Sequence, residues 1–169
     1  MAKIKPFKGI RYNPEQAGDI ATLISQPYDR VRHGLQDKYY DMNDYNVVRM
    51  IKGKEFESDH AGSNVYTRAQ AFLSEWLAKG VLKYEEKPAL YVYHQDFELN
   101  GEQITRKAMV TALELAKFEE GIVLPHERTH DGPKMDRLNL TRATEAYYGN
   151  LFILYPDAEN KVDSLLEKA

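Results

Sequence analysis

The chain contains no cysteine, which excludes disulfides, thiolate zinc sites, iron–sulfur clusters and a cysteine nucleophile together. Any metal would depend on histidine and carboxylate ligands. No apolar run approaches membrane-spanning length, and Lys3, Lys5 and Lys8 near the N-terminus are not followed by the apolar stretch of a signal peptide. A cytoplasmic location with no membrane partner is expected. No glycine-rich phosphate loop, internal repeat or low-complexity tract occurs. Charge of one sign is also lacking: the net charge is −3, so nothing global steers the protein toward nucleic acid or acidic membranes. What is present is 169 residues, 43% hydrophobic and 29% charged. That suits one well-filled globular domain and would leave two full domains cramped.

Residues 4–12 mix apolar and basic side chains and break at Asn13-Pro14, which predicts a short strand entering a turn. A brief helix is expected within residues 18–25 and another over 31–40. The run Asn46-Val47-Val48-Arg49-Met50-Ile51, followed by Gly53, predicts a buried strand. Residues 55–63 read as a loop, with Ser63 or Asn64 placed to cap a helix. In that helix Val65, Ala69, Phe72, Leu73, Trp76 and Leu77 recur on one face, and Gly80 sits where a C-terminal cap belongs. The stripe assigns Trp76 to core packing rather than to a ligand.

Residues 89–99 alternate as a strand, with Tyr91, Tyr93, Gln95 and Phe97 on one face and Val92, His94 and Asp96 on the other. Asn100-Gly101 predicts a two-residue hairpin turn, because both positions need positive φ. Residues 104–115 would return as a long strand. Gly121-Ile122-Val123-Leu124 predicts a short strand, Pro133 to about Tyr148 a helix, and residues 150–155 a strand closed by Pro156-Asp157. A last helix over 161–168, with Val162, Leu165 and Leu166 as its apolar stripe, has no stop signal. The chain is therefore expected to be the front part of a longer protein. The fold class is α+β, a mixed and largely antiparallel sheet with packed helices. It forms a single domain over 1–169 or the N-terminal portion of a longer two-part domain.

The chemistry concentrates in Pro125-His126-Glu127-Arg128-Thr129-His130-Asp131-Gly132-Pro133-Lys134-Met135-Asp136-Arg137. Titratable side chains crowded between two prolines suggest a ligand or catalytic site. The segment holds a His-Glu-x-x-His string, which in zinc peptidases supplies two ligands and a general base from one helix face. Asp131-Gly132-Pro133 would end such a helix within about two turns. No later histidine offers a third ligand, so a zinc site is not expected. An anion site uses the same residues better. A helix starting near Pro133 turns unsatisfied N–H groups toward the loop, while Lys134 and Arg137 share one side of its first turn. His126, Glu127 and Thr129 could hydrogen-bond a second part of the ligand or move a proton. The alternative is a solvated loop with Glu127–Arg128 and Asp136–Lys134 charge pairing. Elsewhere, Arg11 ends the first strand, Tyr28 and Asp29 occupy a loop, and Asn46 and Arg49 bracket valines. An arginine in an apolar run needs a partner.

Six motifs occur in order: Lys8-Gly9-Ile10-Arg11-Tyr12, Gln26-Pro27-Tyr28-Asp29, Asn46-Val47-Val48-Arg49, Tyr91-Val92-Tyr93, Pro125-His126-Glu127-Arg128-Thr129 and Pro133-Lys134-Met135-Asp136-Arg137-Leu138. In these the chain resembles, over nearly its whole length, the uncharacterised bacterial and archaeal family DUF1015. The resemblance implies a place in the ParB and sulfiredoxin-like superfamily, whose members bind nucleotides and include a free-serine kinase and CTP-hydrolysing partition proteins. It implies a ParB/sulfiredoxin-like fold with a nucleotide cleft, and ATP, ADP or CTP with magnesium as cofactors. Its polar positions are Arg11, Tyr28, Asp29, Asn46, Arg49, His126, Glu127, Thr129, Lys134 and Arg137, and His130 is outside the pattern. Family members are usually longer and carry a later Asp-Gly-His-His-Arg motif. This chain ends before one, so the fragment would lack activity if that motif is required.

Two functions follow as expectations. In the first, the chain is a nucleotide-associated domain related to small-molecule kinases. Lys134, Arg137 and Arg49 hold phosphates, while His126 and Glu127 position or deprotonate a hydroxyl. In the second it is a non-enzymatic regulatory or interaction domain, its aromatic residues lining an interface that includes a homodimer.

Overall fold

The apolar stripe beginning at Val65 folds as its spacing predicts, and the elements around it fall into two units. In the computed structural model, which describes residues 2–32, 34–126 and 131–168, the chain order is β1 (Ile4–Lys5), β2 (Ile10–Tyr12), α1 (Pro14–Ala17), α2 (Leu35–Met42), α3 (Val48–Ile51), α4 (Val65–Ala78), β3 (Leu82–Tyr84), β4 (Tyr91–Leu99), β5 (Glu102–Val110), β6 (Ala112–Leu113), α5 (Asp131–Thr144) and α6 (Lys161–Leu166). The fold is mixed α+β, and every strand pair among the described residues is antiparallel: β1 with β6, β2 with β3, β4 with β5. The expected sheet is thus divided into three two-stranded pieces. No helix among the described residues is long and apolar enough to cross a membrane.

The helical unit comprises Ile10–Tyr84 and Glu127–Tyr148. Its centre is α4, started by Asn64, whose side-chain oxygen accepts from the Tyr66 and Thr67 N–H groups while the Thr67 hydroxyl accepts from the Asn64 N–H. This reciprocal cap satisfies donors that have no partner inside the helix. Ala69, Leu73 and Trp76 are buried against Leu23, Met50, Val81, Leu82 and Leu140. Trp76 is 1% exposed and meets the rings of Tyr45, Phe72 and Tyr12 at 5.7, 5.9 and 6.3 Å.

The expected strand at residues 46–51 is corrected to helix: buried as predicted, the run forms α3. The Asn46 side chain decides it. Its Oδ1 accepts from the Val48 N–H at 3.0 Å, and its amide donates to the carbonyls of Thr22 and Ile24 at 2.8 and 3.0 Å. A short apolar run is ambiguous by periodicity, and this local turn outcompetes strand pairing.

The hairpin unit comprises Met1–Gly9, Glu85–His126 and Gly149–Ala169. Asn100 and Gly101 take φ of 54° and 84°, as a two-residue turn between twisted strands requires. Tyr91 pairs with Val110 and Leu99 with Glu102 at the two ends of the ladder. The Gly9 N–H donates to the Tyr91 hydroxyl at 2.7 Å, and a Cβ on Gly9 would stand 2.8 Å from that oxygen, so the contact needs glycine. Two expected strands are absent: residues 121–124 follow a 3₁₀ turn at Phe118–Glu120, and residues 150–155 have no regular structure. Both stretches have the apolar composition of a strand, but neither pairs with a strand among the described residues. Helix α6 is capped from outside its first turn, Asp157 accepting from the N–H groups of Lys161, Val162 and Asp163.

Candidate functional site

Among the described residues helix α5 already includes Asp131, two residues before the expected start at Pro133. Pro133 is tolerated because N–H groups of a first turn have no intrahelical acceptor. Lys134 is exposed, its Nζ 4.0 Å from the Asp131 carboxylate. One turn further, the Arg137 guanidinium lies 3.9 Å over the Tyr28 ring. Its Nη2 donates to the Ile51 carbonyl at 2.9 Å and its Nε to Asp136 at 3.0 Å. Asp136 also accepts from the Tyr66 hydroxyl at 2.9 Å. Burial pushes the Tyr66 phenol above its ordinary range, and the Asp136 carboxylate adds to the shift.

Tyr28, Arg137, Asp136 and Tyr66 therefore form a continuous polar chain that joins a loop, α3, α5 and α4. Beside it is a small pocket of about 20 Å³ lined by Met50, Ile51, Gly53, Tyr66, Asp136 and Arg137, room for a single water.

Arg49 finds the partner that its apolar setting demands. Its Nη2 donates to the Tyr40 carbonyl at 2.9 Å and to Asp44 at 3.1 Å, and its guanidinium lies 4.3 Å from the Tyr40 ring. The Arg49 Nε is buried without a hydrogen-bond partner. Lys54 approaches the same ring at 4.7 Å and pairs with Asp37 at 2.5 Å. Asp44 and Asp131 are 93% and 96% exposed, so these pairs are weak and an arriving anion could displace them.

The sequence-predicted residues divide accordingly. Tyr28 and Arg137 are in contact. Lys134 stands a turn away on α5, and Arg49 belongs to the helix whose Ile51 carbonyl Arg137 bonds. Asn46 is fully buried, with both ends of its amide bonded within the chain. Asp29 is exposed, and Arg11 is an exposed residue of β2 opposite Lys83. His126 is exposed and belongs to the hairpin unit. Glu127 and Thr129 lie outside the described residues, as do Arg128 and His130 of the His-Glu-x-x-His string. The expected Asp136–Lys134 pairing is replaced by Asp136 with Arg137 and Tyr66. Sequence reasoning missed Tyr66 and Tyr40, because each looks like an ordinary residue of an amphipathic helix.

A family profile described as protein of unknown function, DUF1015, matches residues 4–169. The chain belongs to the DUF1015 family. No curated protein and no solved structure matches it. For this DUF1015 chain the arrangement offers one cation over an aromatic ring, a second cation a turn away on α5, a recessed carboxylate and no group of three or more potential metal ligands among the described residues. Such a set can bind and orient an anion.

Proposed function

We propose that this DUF1015 chain binds a nucleotide or another phosphate ester, in keeping with a ParB/sulfiredoxin-like ancestry shared with small-molecule kinases. The observation that carries the reading is the Arg137 guanidinium stacked on Tyr28, with the exposed Lys134 one turn away on α5. Stacking holds the guanidinium plane, while Lys134 is a mobile point charge that can follow a phosphate. By the family resemblance, Arg49 is a further phosphate ligand, and Arg11, Asp29, Asn46 and Thr129 belong to the same set of polar positions. The same resemblance assigns the acceptor hydroxyl to His126 and Glu127, and makes ATP, ADP or CTP with magnesium the phosphoryl source. Calorimetry of the chain with each nucleotide, with and without magnesium, tests this. Saturable heat is expected for at least one nucleotide, and Lys134→Ala should weaken binding roughly tenfold, as loss of one charge-assisted contact does. No heat with any nucleotide, or full affinity in Lys134→Ala and Arg137→Ala, sinks the proposal.

A second reading, a protein-interaction domain, is favoured by one observation in the hairpin unit. Leu151, Phe152, Ile153, Leu154 and Tyr155 are 76, 67, 47, 83 and 43% exposed in a row. Contiguous apolar surface of this kind marks interaction sites.

A further inference from the structure

The β4–β5 hairpin is nine residues long on each arm, yet no third strand pairs with it among the described residues. An isolated two-stranded ribbon is marginal in water, and an open edge is a template for another strand. The two edges differ. Residues of β5 line a groove of about 320 Å³ together with residues 152–155 and α6. Arg106 of β5 lies 5.3 Å from the Phe152 ring, and Lys107 is ion-paired with Glu167 just beyond α6. Among the described residues no further strand pairs with β4, which carries neither the lysine nor the proline that usually guards an edge. Val92, Tyr93 and Leu99 are exposed at 40, 48 and 52%.

The register of the hairpin fixes what the open edge presents. With Leu99 opposite Glu102 across a two-residue turn, the N–H and C=O groups of Tyr91, Tyr93, Gln95, Phe97 and Leu99 point to β5. Those of Val92, His94, Asp96 and Glu98 therefore point outward. A two-fold pairing of β4 with itself must match outward residues with outward residues, which leaves three central registers. Centring on Asp96 sets two carboxylates against each other, and centring on His94 sets two imidazoles against each other. Centring on Gln95 places His94 opposite Asp96 twice, Tyr93 opposite Phe97 twice and Tyr91 opposite Leu99 twice. Imidazole–carboxylate hydrogen bonds and aromatic pairs of this kind stabilise a ladder, and two carboxylates directly opposed destabilise it.

We propose that β4 is an interface for a second copy of this chain, pairing antiparallel edge to edge about Gln95 to make a four-stranded sheet. The proposal rests on the interaction reading, adds β4 to the 151–155 run as a second surface, and names its partner and register. Because the chain has no cysteine, a single introduced thiol reports only contacts between copies. Gln95→Cys should give a disulfide-linked dimer on mild oxidation, since its two copies face each other at disulfide distance. Glu98→Cys should not, its copies lying roughly 20 Å apart along the strands. Light scattering should find wild type dimeric and His94→Glu and Asp96→Lys each monomeric, with circular dichroism reporting that both remain folded. An equimolar mixture of the two variants should dimerise again, because the introduced glutamate of one copy then meets the introduced lysine of the other, while the native Asp96 and His94 still face each other. A monomeric wild type across a dilution series overturns self-pairing. A dimer that links equally through both cysteines, or that both charge variants leave intact, overturns the β4 register while the interaction reading stands.

Discussion

In the helical unit the apolar side chains are inside, and in the hairpin unit most remain outside. Of the buried apolar residues described, Leu166 alone belongs to the hairpin unit, while Leu23, Val48, Met50, Leu73, Trp76 and Leu140 are among those of the helical unit. Both units are rich in leucine, tyrosine and phenylalanine, so composition does not separate them. Geometry does: helices bury a stripe against one another within a short stretch of chain, whereas a lone hairpin has two faces and two edges and can cover few of them by itself. The contrast bears on function. The helical unit frames the Tyr28–Arg137 stack on which the proposed anion site rests, and the hairpin unit carries the exposed apolar surface on which the proposed interface rests.

The sharpest way to break the contrast is Trp76→Ala. It should cost about 3–5 kcal/mol, as removing a fully buried large aromatic does, whereas Phe152→Ala should change stability by no more than about 0.5 kcal/mol. Denaturant unfolding of both variants checks this, and comparable losses would mean that the hairpin unit has a core of its own. Asn46→Ala should come next, at about 2–3 kcal/mol. It leaves the Thr22 and Ile24 carbonyls and the buried Val48 N–H short of a partner. A loss below that of an ordinary surface substitution would show that α3 does not depend on this side chain.

A smaller loss than from either Trp76→Ala or Asn46→Ala is expected from Tyr12→Phe, and it is read best through pH. Burial, reinforced by the neighbouring Tyr148 phenol, pushes Tyr12 above the ordinary phenol range. The folded state therefore keeps the phenol neutral while the unfolded chain ionises it. Stability is fully present below about pH 10 and falls as pH rises past it. Tyr12→Phe should cost about 1 kcal/mol at neutral pH, from the lost bond to the Tyr45 carbonyl at 2.7 Å. It should also make the alkaline loss less steep, leaving the part due to Tyr148, which burial shifts in the same direction. Urea midpoints collected from pH 7 to pH 11 measure both, and an unchanged alkaline slope would place Tyr12 outside the core.

Much of the helical unit is legible in the sequence. Asn64 at the cap, the spacing from Val65 to Leu77 and Gly80 after the last turn define α4 without reference to anything else. The Asn100-Gly101 turn defines the hairpin in the same way. The failures are the short apolar runs. Residues 46–51 turned helical through hydrogen bonds to carbonyls more than twenty residues earlier in the chain. Residues 121–124 and 150–155 have strand composition without a strand's neighbours. In the candidate site, Arg137, Tyr28 and Lys134 were visible as charged or aromatic residues in motifs. Their stacking, and the bonds to Ile51 and through Asp136 to Tyr66, were not.

The sequence alone determined the features whose causes are local: helix caps, the positive-φ turn, the amphipathic stripe that buries Trp76, the exclusion of cysteine chemistry and membership of DUF1015 through ordered motifs. Tertiary structure decided whatever needs a partner distant along the chain. It selected helix over strand around Asn46, gave Arg49 and Arg137 their carbonyl and aromatic neighbours, and among the described residues gave β4 no strand partner but β5. Such outcomes depend on which distant groups compete for one N–H, carbonyl or apolar face, and that competition is settled only once the chain has brought them together.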